Sequence, residues 1–213
     1  MPKLSKKVLF ERVGGLSRPS KMPGYSFSIS ALNCITGGRL VNKPGSVCEG
    51  CYALKGRYAF PNVQAAANRR HGIYDTSKSW RDDMVAAIRA TGDDVFRVFD
   101  GGDLQSVKML RDWCAVAEQL PAVRFWLPTK EYGFVKAFLK LGGVVPQNMV
   151  IRISQPMVDD LTPHKLTQHE GVAGSGVTKG TGWTCPSPNQ ENQCKACRKC
   201  WDRGEKFIIY RWH

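Results

Sequence analysis

Val95-Phe96-Arg97-Val98-Phe99-Asp100-Gly101-Gly102-Asp103 is the segment from which the architecture can be read. Its β-branched and aromatic residues predict a strand, and the run stops on an acid, two glycines and a second acid, the pattern of a strand end opening into a turn. A helical pattern follows at once. Val107, Leu110, Cys114 and Ala117 fall at offsets of zero, three, seven and ten, on one face of a helix. Cys114 lies on that stripe and reads as a core thiol.

The same strand, turn and helix recur on either side. Upstream, Tyr25 to Ser30 alternates as a strand does and runs into Asn33-Cys34 and a Gly/Pro-rich loop from Ile35 to Val47. From Val63 the pattern is helical, with a break expected near Gly72, and it resumes with Trp80, Met84, Val85 and Ile88 on one face. Downstream, Val123 to Leu127 reads as a third strand ending in Pro128-Thr129-Lys130, with Phe134, Phe138 and Leu141 marking the helix behind it. Met149 to Ile153 reads as a fourth strand, ending in Ser154-Gln155. Beyond Pro156 the periodicity fails, and Gly171, Gly174, Gly176, Gly180 and Gly182 predict a mobile loop. Lys206 to Tyr210 predicts a last strand that returns the carboxyl terminus to the sheet. Alternation of this kind predicts an α/β fold, a parallel sheet or partial parallel (β/α) barrel with right-handed crossovers and all strand carboxyl ends at one mouth. Cys34, the turn at 100–103, Thr129-Lys130 and Ser154-Gln155 are expected to gather there.

A length of 213 residues with 42% hydrophobic and 23% charged residues suits one soluble domain spanning 1–213. The first fifteen residues offer only Val8-Leu9-Phe10 as an apolar run, and no stretch is long enough to span a bilayer, so a cytosolic protein with no membrane partner is expected. There are 31 Lys plus Arg against 18 Asp plus Glu, a net charge of +13. The bases concentrate at the ends: Lys3, Lys6, Lys7, Arg12, Arg18 and Lys21 face only Glu11, while Lys195, Arg198, Lys199, Arg203, Lys206 and Arg211 face only Asp202 and Glu205. Such a field favours polyanions, nucleic acid among them; solubility and compensation of an anionic cofactor are the alternative.

Eight cysteines stand at 34, 48, 51, 114, 185, 194, 197 and 200. Thiols of a reducing compartment are better read as metal ligands than as disulfides. Within the cysteine-rich segment 183–203, Cys185-Pro186 precedes Cys194-x2-Cys197-x2-Cys200, a spacing that suits an iron–sulfur cubane. Zinc and plain thiols are the competing readings. Thr184 to Arg203 carries almost no aliphatic residue, so bound metal is expected to hold it together. The amino-terminal set, Cys34-x13-Cys48-x2-Cys51, has only three ligands and would leave one iron of a four-iron cluster open to a substrate or cosubstrate. Alternatively Cys34 is incidental, and Cys48 and Cys51 share a zinc ribbon with Cys194 and Cys197. Tyr52 and Trp201 each follow the last cysteine of a set, where an aromatic ring would shield the metal or simply belong to the core.

Cys48-x2-Cys51-Tyr52-Ala53, Phe99-Asp100-Gly101-Gly102-Asp103-Leu104, Phe125 to Lys130 and the terminal Cys-Pro…Cys-x2-Cys-x2-Cys-Trp together resemble the phage gene product 88 family across most of the chain. More distantly the chain is similar to radical S-adenosylmethionine enzymes. That likeness implies that Cys34, Cys48 and Cys51 hold an open [4Fe–4S] cluster and that Gly101, Gly102 and Asp103 meet the methionyl ammonium of S-adenosylmethionine. Phage origin implies the host cell cytoplasm.

His164 and His169 read as surface histidines, and Asp82-Asp83, Asp93-Asp94 and Asp159-Asp160 as solvated caps or turns. No phosphate-binding Gly-x-x-x-x-Gly-Lys-Ser/Thr loop, nucleophile elbow or His-Glu-x-x-His is present, which removes the common hydrolase and nucleotide-triphosphate chemistries. The expected function is that of a phage iron–sulfur protein with one or two clusters and radical or redox chemistry. The competing expectation is a non-catalytic module, stabilised by zinc or iron–sulfur, that binds nucleic acid or a host protein.

Overall fold

The computed structural model describes residues 4–212. Helix α1 (Lys6–Arg12) starts at Ser5, whose hydroxyl accepts from the Val8 amide. Strand β1 (Ser26–Phe27) is shorter than the alternation of 25–30 suggests, because Ser30 caps a 3₁₀ turn at Ala31–Asn33 that draws the chain off the ladder. Then come α2 (Ile35–Leu40), 3₁₀ turns at Tyr52–Leu54 and Gly56–Ala59, α3 (Pro61–Thr76), α4 (Trp80–Arg89) and β2 (Val95–Val98). The chain continues through α5 (Val107–Glu118), β3 (Arg124–Thr129), α6 (Tyr132–Lys140), β4 (Met149–Ser154), β5 (Val172–Thr178) and β6 (Phe207–Arg211).

The six strands pair in chain order and every pair is parallel. Right-handed crossovers in a sheet of that order pass over one face, so α4 packs on α5 and α5 on α6. Phe96, Val98, Phe125, Leu127, Met149, Ile151, Ile153 and Val172 point into that helical layer. At its centre Trp113 is met edge-on by Phe27 and Trp80, both at 5.1 Å. Cys114 is buried there, its sulfur 4.0 Å from Met149 Sδ, as expected of a core thiol.

The opposite face of the sheet needs a different cover. Val95, Trp126, Val150, Ala173 and Ile208 form a second core, and Cys200 and Trp201 of the cysteine-rich segment close it. Arg152, at 0% exposure, stands among these residues. Its guanidinium donates to the carbonyls of Lys199, Cys200, Asp202 and Glu205 at 2.8–3.0 Å. The tail of the chain is therefore stitched to the sheet by one buried cation.

Two sequence expectations fail. The glycine-rich stretch after Pro156 is not a mobile loop but largely strand β5, between β4 and β6. Side chains from neighbouring segments take the space: a Cβ at Gly174 would stand 2.5 Å from Phe207 Cδ2, and one at Gly176 2.9 Å from Leu161 Cδ2. Nor does the helix break at Gly72. α3 runs through it and ends at Ser77, since an exposed glycine costs helix only about 1 kcal/mol. Among the described residues no helix is long and apolar enough to cross a membrane.

Gly102 shows where glycine is required. Its φ is +81°, and a Cβ there would lie 2.4 Å from Ile29 Cγ1 and 2.8 Å from the Ile29 carbonyl oxygen. Gly102→Ala should cost about 2–3 kcal/mol in urea unfolding, combining strain with displacement of the segment after β1. A loss below about 0.5 kcal/mol would contradict the packing described.

Candidate metal centre

The amino-terminal cysteines assemble at the carboxyl ends of the strands. Cys34 lies between the 3₁₀ turn after β1 and the start of α2. Glu131, buried just past β3, accepts from the Thr36 amide at 2.8 Å and the Thr36 hydroxyl at 2.9 Å, fixing the turn behind Cys34. The loop carrying Cys48 reaches the end of β4: Val47 N donates to Pro156 O at 2.8 Å, and Ser46 pairs with Met157. A Cβ built on Gly37 would lie 3.6 Å from Cys34 Sγ and 3.7 Å from Cys48 Sγ, so both sulfurs border one bare glycine.

Burial pushes the Cys34 thiol up to about 12, and Asp103, Cys51 and Cys48 add to the shift while Lys130 opposes it. Cys48 is raised by burial as well; Lys130 opposes, and Cys51 and Asp103 add. Cys34 and Cys48 are thus neighbours, and Cys51 is near enough to act on both. Partial burial favours the protonated form of both thiols, and a bound cation is what would draw them to thiolate.

The second set is built on the tail. Thr184 N and Cys185 N both donate to Ile209 O, Cys194 N donates to Lys21 O at 2.9 Å, and Cys197 N to Cys194 O at 2.8 Å. Trp201 donates its indole N–H to Phe96 O at 2.9 Å and meets Trp126 edge-on, so it is a core residue under this set. Burial raises Cys194, with Cys185 and Cys197 adding and Arg97 and Arg198 opposing. Burial pushes Cys200 up to about 12, although the Tyr210 hydroxyl, 3.2 Å from its sulfur, and Arg152 pull the other way.

All eight cysteines are free thiols. Among the described residues no group of three or more His, Cys, Asp or Glu side chains is set to hold a metal ion. The two sets are neighbourhoods of thiols, not closed coordination shells. Four thiolates on a single zinc would stand about 3.8 Å apart, whereas a cubane carries its ligands on separate corners.

The Gly101-Gly102-Asp103 turn comes to the same mouth, but its polar groups serve the fold. Asp103 Oδ1 accepts from Leu104 N at 2.8 Å and the Thr129 hydroxyl at 2.6 Å, and Oδ2 accepts from Lys130 N at 2.8 Å. Gly101 O accepts from Ile29 N at 3.1 Å. Burial lifts the Asp103 carboxyl to about 6, against the pull of these donors. A carboxyl raised on folding favours the fold below its ordinary range near pH 4, and that contribution is lost as pH climbs through 6. Between about pH 4 and about pH 7, wild type should therefore lose more stability than Asp103→Asn, measured by urea unfolding at both pH values. Equal changes would contradict the shift.

Sequence reasoning missed several residues that organise the mouth. Asp100 is buried and accepts from the Ser26 hydroxyl at 2.7 Å and the Tyr58 hydroxyl at 2.9 Å, while its carbonyl accepts from the Tyr52 hydroxyl at 2.6 Å. Arg97 donates to Tyr52 Oη at 3.3 Å and lies 4.3 Å over the Trp126 ring. It connects the residue after Cys51 with the neighbourhood of Cys194. The available signal was a charge inside an apolar strand, at Arg97 and again at Arg152. Asp83 departs from its solvated reading, being buried and accepting from Arg12 at 3.1 Å and Ser79 at 2.7 Å. His169 is exposed, and His164 stacks on Tyr132 at 4.7 Å.

A parallel sheet in chain order, with one thiol set at its mouth and another folded over the face opposite the helices, defines an α/β protein with two cysteine centres. The chain belongs to the phage family Gene product 88, whose model matches residues 6–203, from α1 to the end of the cysteine-rich segment. No curated protein and no solved structure matches the chain.

Proposed function

We propose that this is a phage iron–sulfur protein of the host cytoplasm with a radical-S-adenosylmethionine-like, partial-barrel core. Cys34, Cys48 and Cys51 would hold an open [4Fe–4S] cluster at the mouth, and Cys185, Cys194, Cys197 and Cys200 a closed one. The observation that carries this reading is the approach of two half-buried thiols, Cys34 and Cys48, on either side of Gly37, with Cys51 and Lys130 near enough to act on both. Strand order supports the partial barrel, as does the crossing of loop 41–51 from β1 to the end of β4. The donor chemistry fits: soft sulfur only, in two sets, with Gly37 leaving room between Cys34 and Cys48.

Held by Cys34, Cys48 and Cys51, such a cluster would supply one-electron reduction of a cosubstrate, S-adenosylmethionine in this reading. The chain's own residues do the rest. Lys130 offsets the negative charge that three thiolates bring, Glu131 holds the turn behind Cys34, and Asp100 with Tyr52 and Tyr58 fixes the segment after Cys51. With Asp103 engaged by three internal donors, a methionyl ammonium would have to share its remaining lone pairs. That engagement favours a second reading, a non-catalytic metal-stabilised module, zinc or iron–sulfur, that binds nucleic acid or a host protein.

Paramagnetic resonance of the dithionite-reduced protein separates the two. Adding S-adenosylmethionine should reshape one part of the spectrum, and Cys34→Ala should remove the responding part while keeping the other. A spectrum indifferent to S-adenosylmethionine favours the non-catalytic module.

A further inference from the structure

We infer that the mouth carries a platform for single-stranded nucleic acid, built from Trp183, Arg211, Lys179 and Trp212. β5 and β6 end side by side, with Thr178 opposite Arg211 and Trp212 N donating to Thr178 O at 2.8 Å. That pairing sets two indole–cation stacks next to each other: Arg211 lies 5.2 Å over the Trp183 ring, and Lys179 Nζ 5.4 Å over the Trp212 ring. Lys179 and Arg211 are exposed and both indoles are partly exposed, whereas Trp80, Trp113, Trp126 and Trp201 are buried. The neighbouring acid, Asp159, accepts from the Thr178 hydroxyl at 2.6 Å and the Lys179 amide at 3.1 Å, so its charge is engaged by the loop itself.

Indole faces and guanidinium planes stack on any base, and the same cations meet phosphates; a strand whose bases are already unstacked is the polymer that uses both. The platform adjoins the first cysteine set. The Trp212 ring lies against Gly50, between Cys48 and Cys51, where an added Cβ would be 3.2 Å from Cζ2. A strand on the platform would reach the mouth, and that consequence, unlike binding itself, rests on the function proposed above.

The test uses the full chain, purified without oxygen, and a fluorescein-labelled oligothymidylate of about twelve nucleotides. Anisotropy should report binding that weakens about tenfold between roughly 50 and 200 mM salt, with quenching of tryptophan emission, which only Trp183 and Trp212 are exposed enough to report. Trp183→Ala should weaken binding by about tenfold, within the range of one lost base stack. The double variant Lys179→Gln/Arg211→Gln, both at exposed positions, should do at least as much. Lys136→Gln/Lys140→Gln removes the same charge from α6, away from the platform, and should cost less than about threefold. Equal losses from the two double variants, binding without quenching, or duplex DNA held as tightly as the single strand would each overturn the proposal. A colourless, iron-free protein that still binds in this pattern would sink the cluster reading alone; an iron-loaded protein that does not bind would sink the platform alone.

Discussion

Arg152→Met should release the cysteine-rich tail from the sheet and cost about 3–5 kcal/mol, since several carbonyls lose a charged donor and each acceptor left buried and unsatisfied costs about 1–3 kcal/mol before the tail relaxes. The side chain is fully buried, and four carbonyls between Lys199 and Glu205 accept from it. Methionine fills comparable volume but donates nothing, so the carbonyls lose their partners under a second core of Trp126, Val150, Ile208 and Trp201. Urea unfolding gives the free energy, and Trp201 emission reports whether the tail detaches before the sheet melts. A loss under about 1 kcal/mol would show that apolar contacts alone hold the tail.

The second large effect distinguishes the two cysteine sets. Cys194→Ser/Cys197→Ser should lower the melting temperature by about 20 °C or more, since structural metal contributes on the order of 10 kcal/mol and a protein of this size shifts about 2–4 °C per kcal/mol. Thr184 to Arg203 has almost no aliphatic residues with which to hold itself. Cys34→Ala should remove iron from its own set yet shift melting by only a few degrees, roughly the effect of one buried side chain. Its loop is anchored by protein contacts, Thr36 to Glu131 and Val47 to Pro156. Equal melting shifts, followed by calorimetry on both variants, would contradict this division.

Much of the fold was legible because strands β2, β3, β4 and β6 carry runs of β-branched and aromatic residues bounded by turns. β5 was not, because at Gly174 and Gly176 the residues that fill its space come from Phe207 and Leu161, far along the chain. The two cysteine sets are a reading of spacing; the structure brings Cys34 and Cys48 to one glycine, Gly37, and among the described residues sets no three side chains to hold a metal ion. What bonds the tail to the sheet was not legible. Arg152 looks like a stray charge in Met-Val-Ile-Arg-Ile, and its acceptors are backbone carbonyls, which leave no mark on a sequence. The Gly101-Gly102-Asp103 turn suggested ligand contact. Gly102 answers first to Ile29, and Asp103 to Thr129 and Lys130.

The central claim is that both thiol sets bind iron and sulfide, and elemental analysis of protein expressed with iron and purified without oxygen tests it directly. The account predicts a brown protein whose iron and acid-labile sulfide are present in equal amounts, falling by about half in Cys34→Ala and again in Cys194→Ser/Cys197→Ser. A folded, colourless protein without iron, or one carrying zinc in its place, would contradict it.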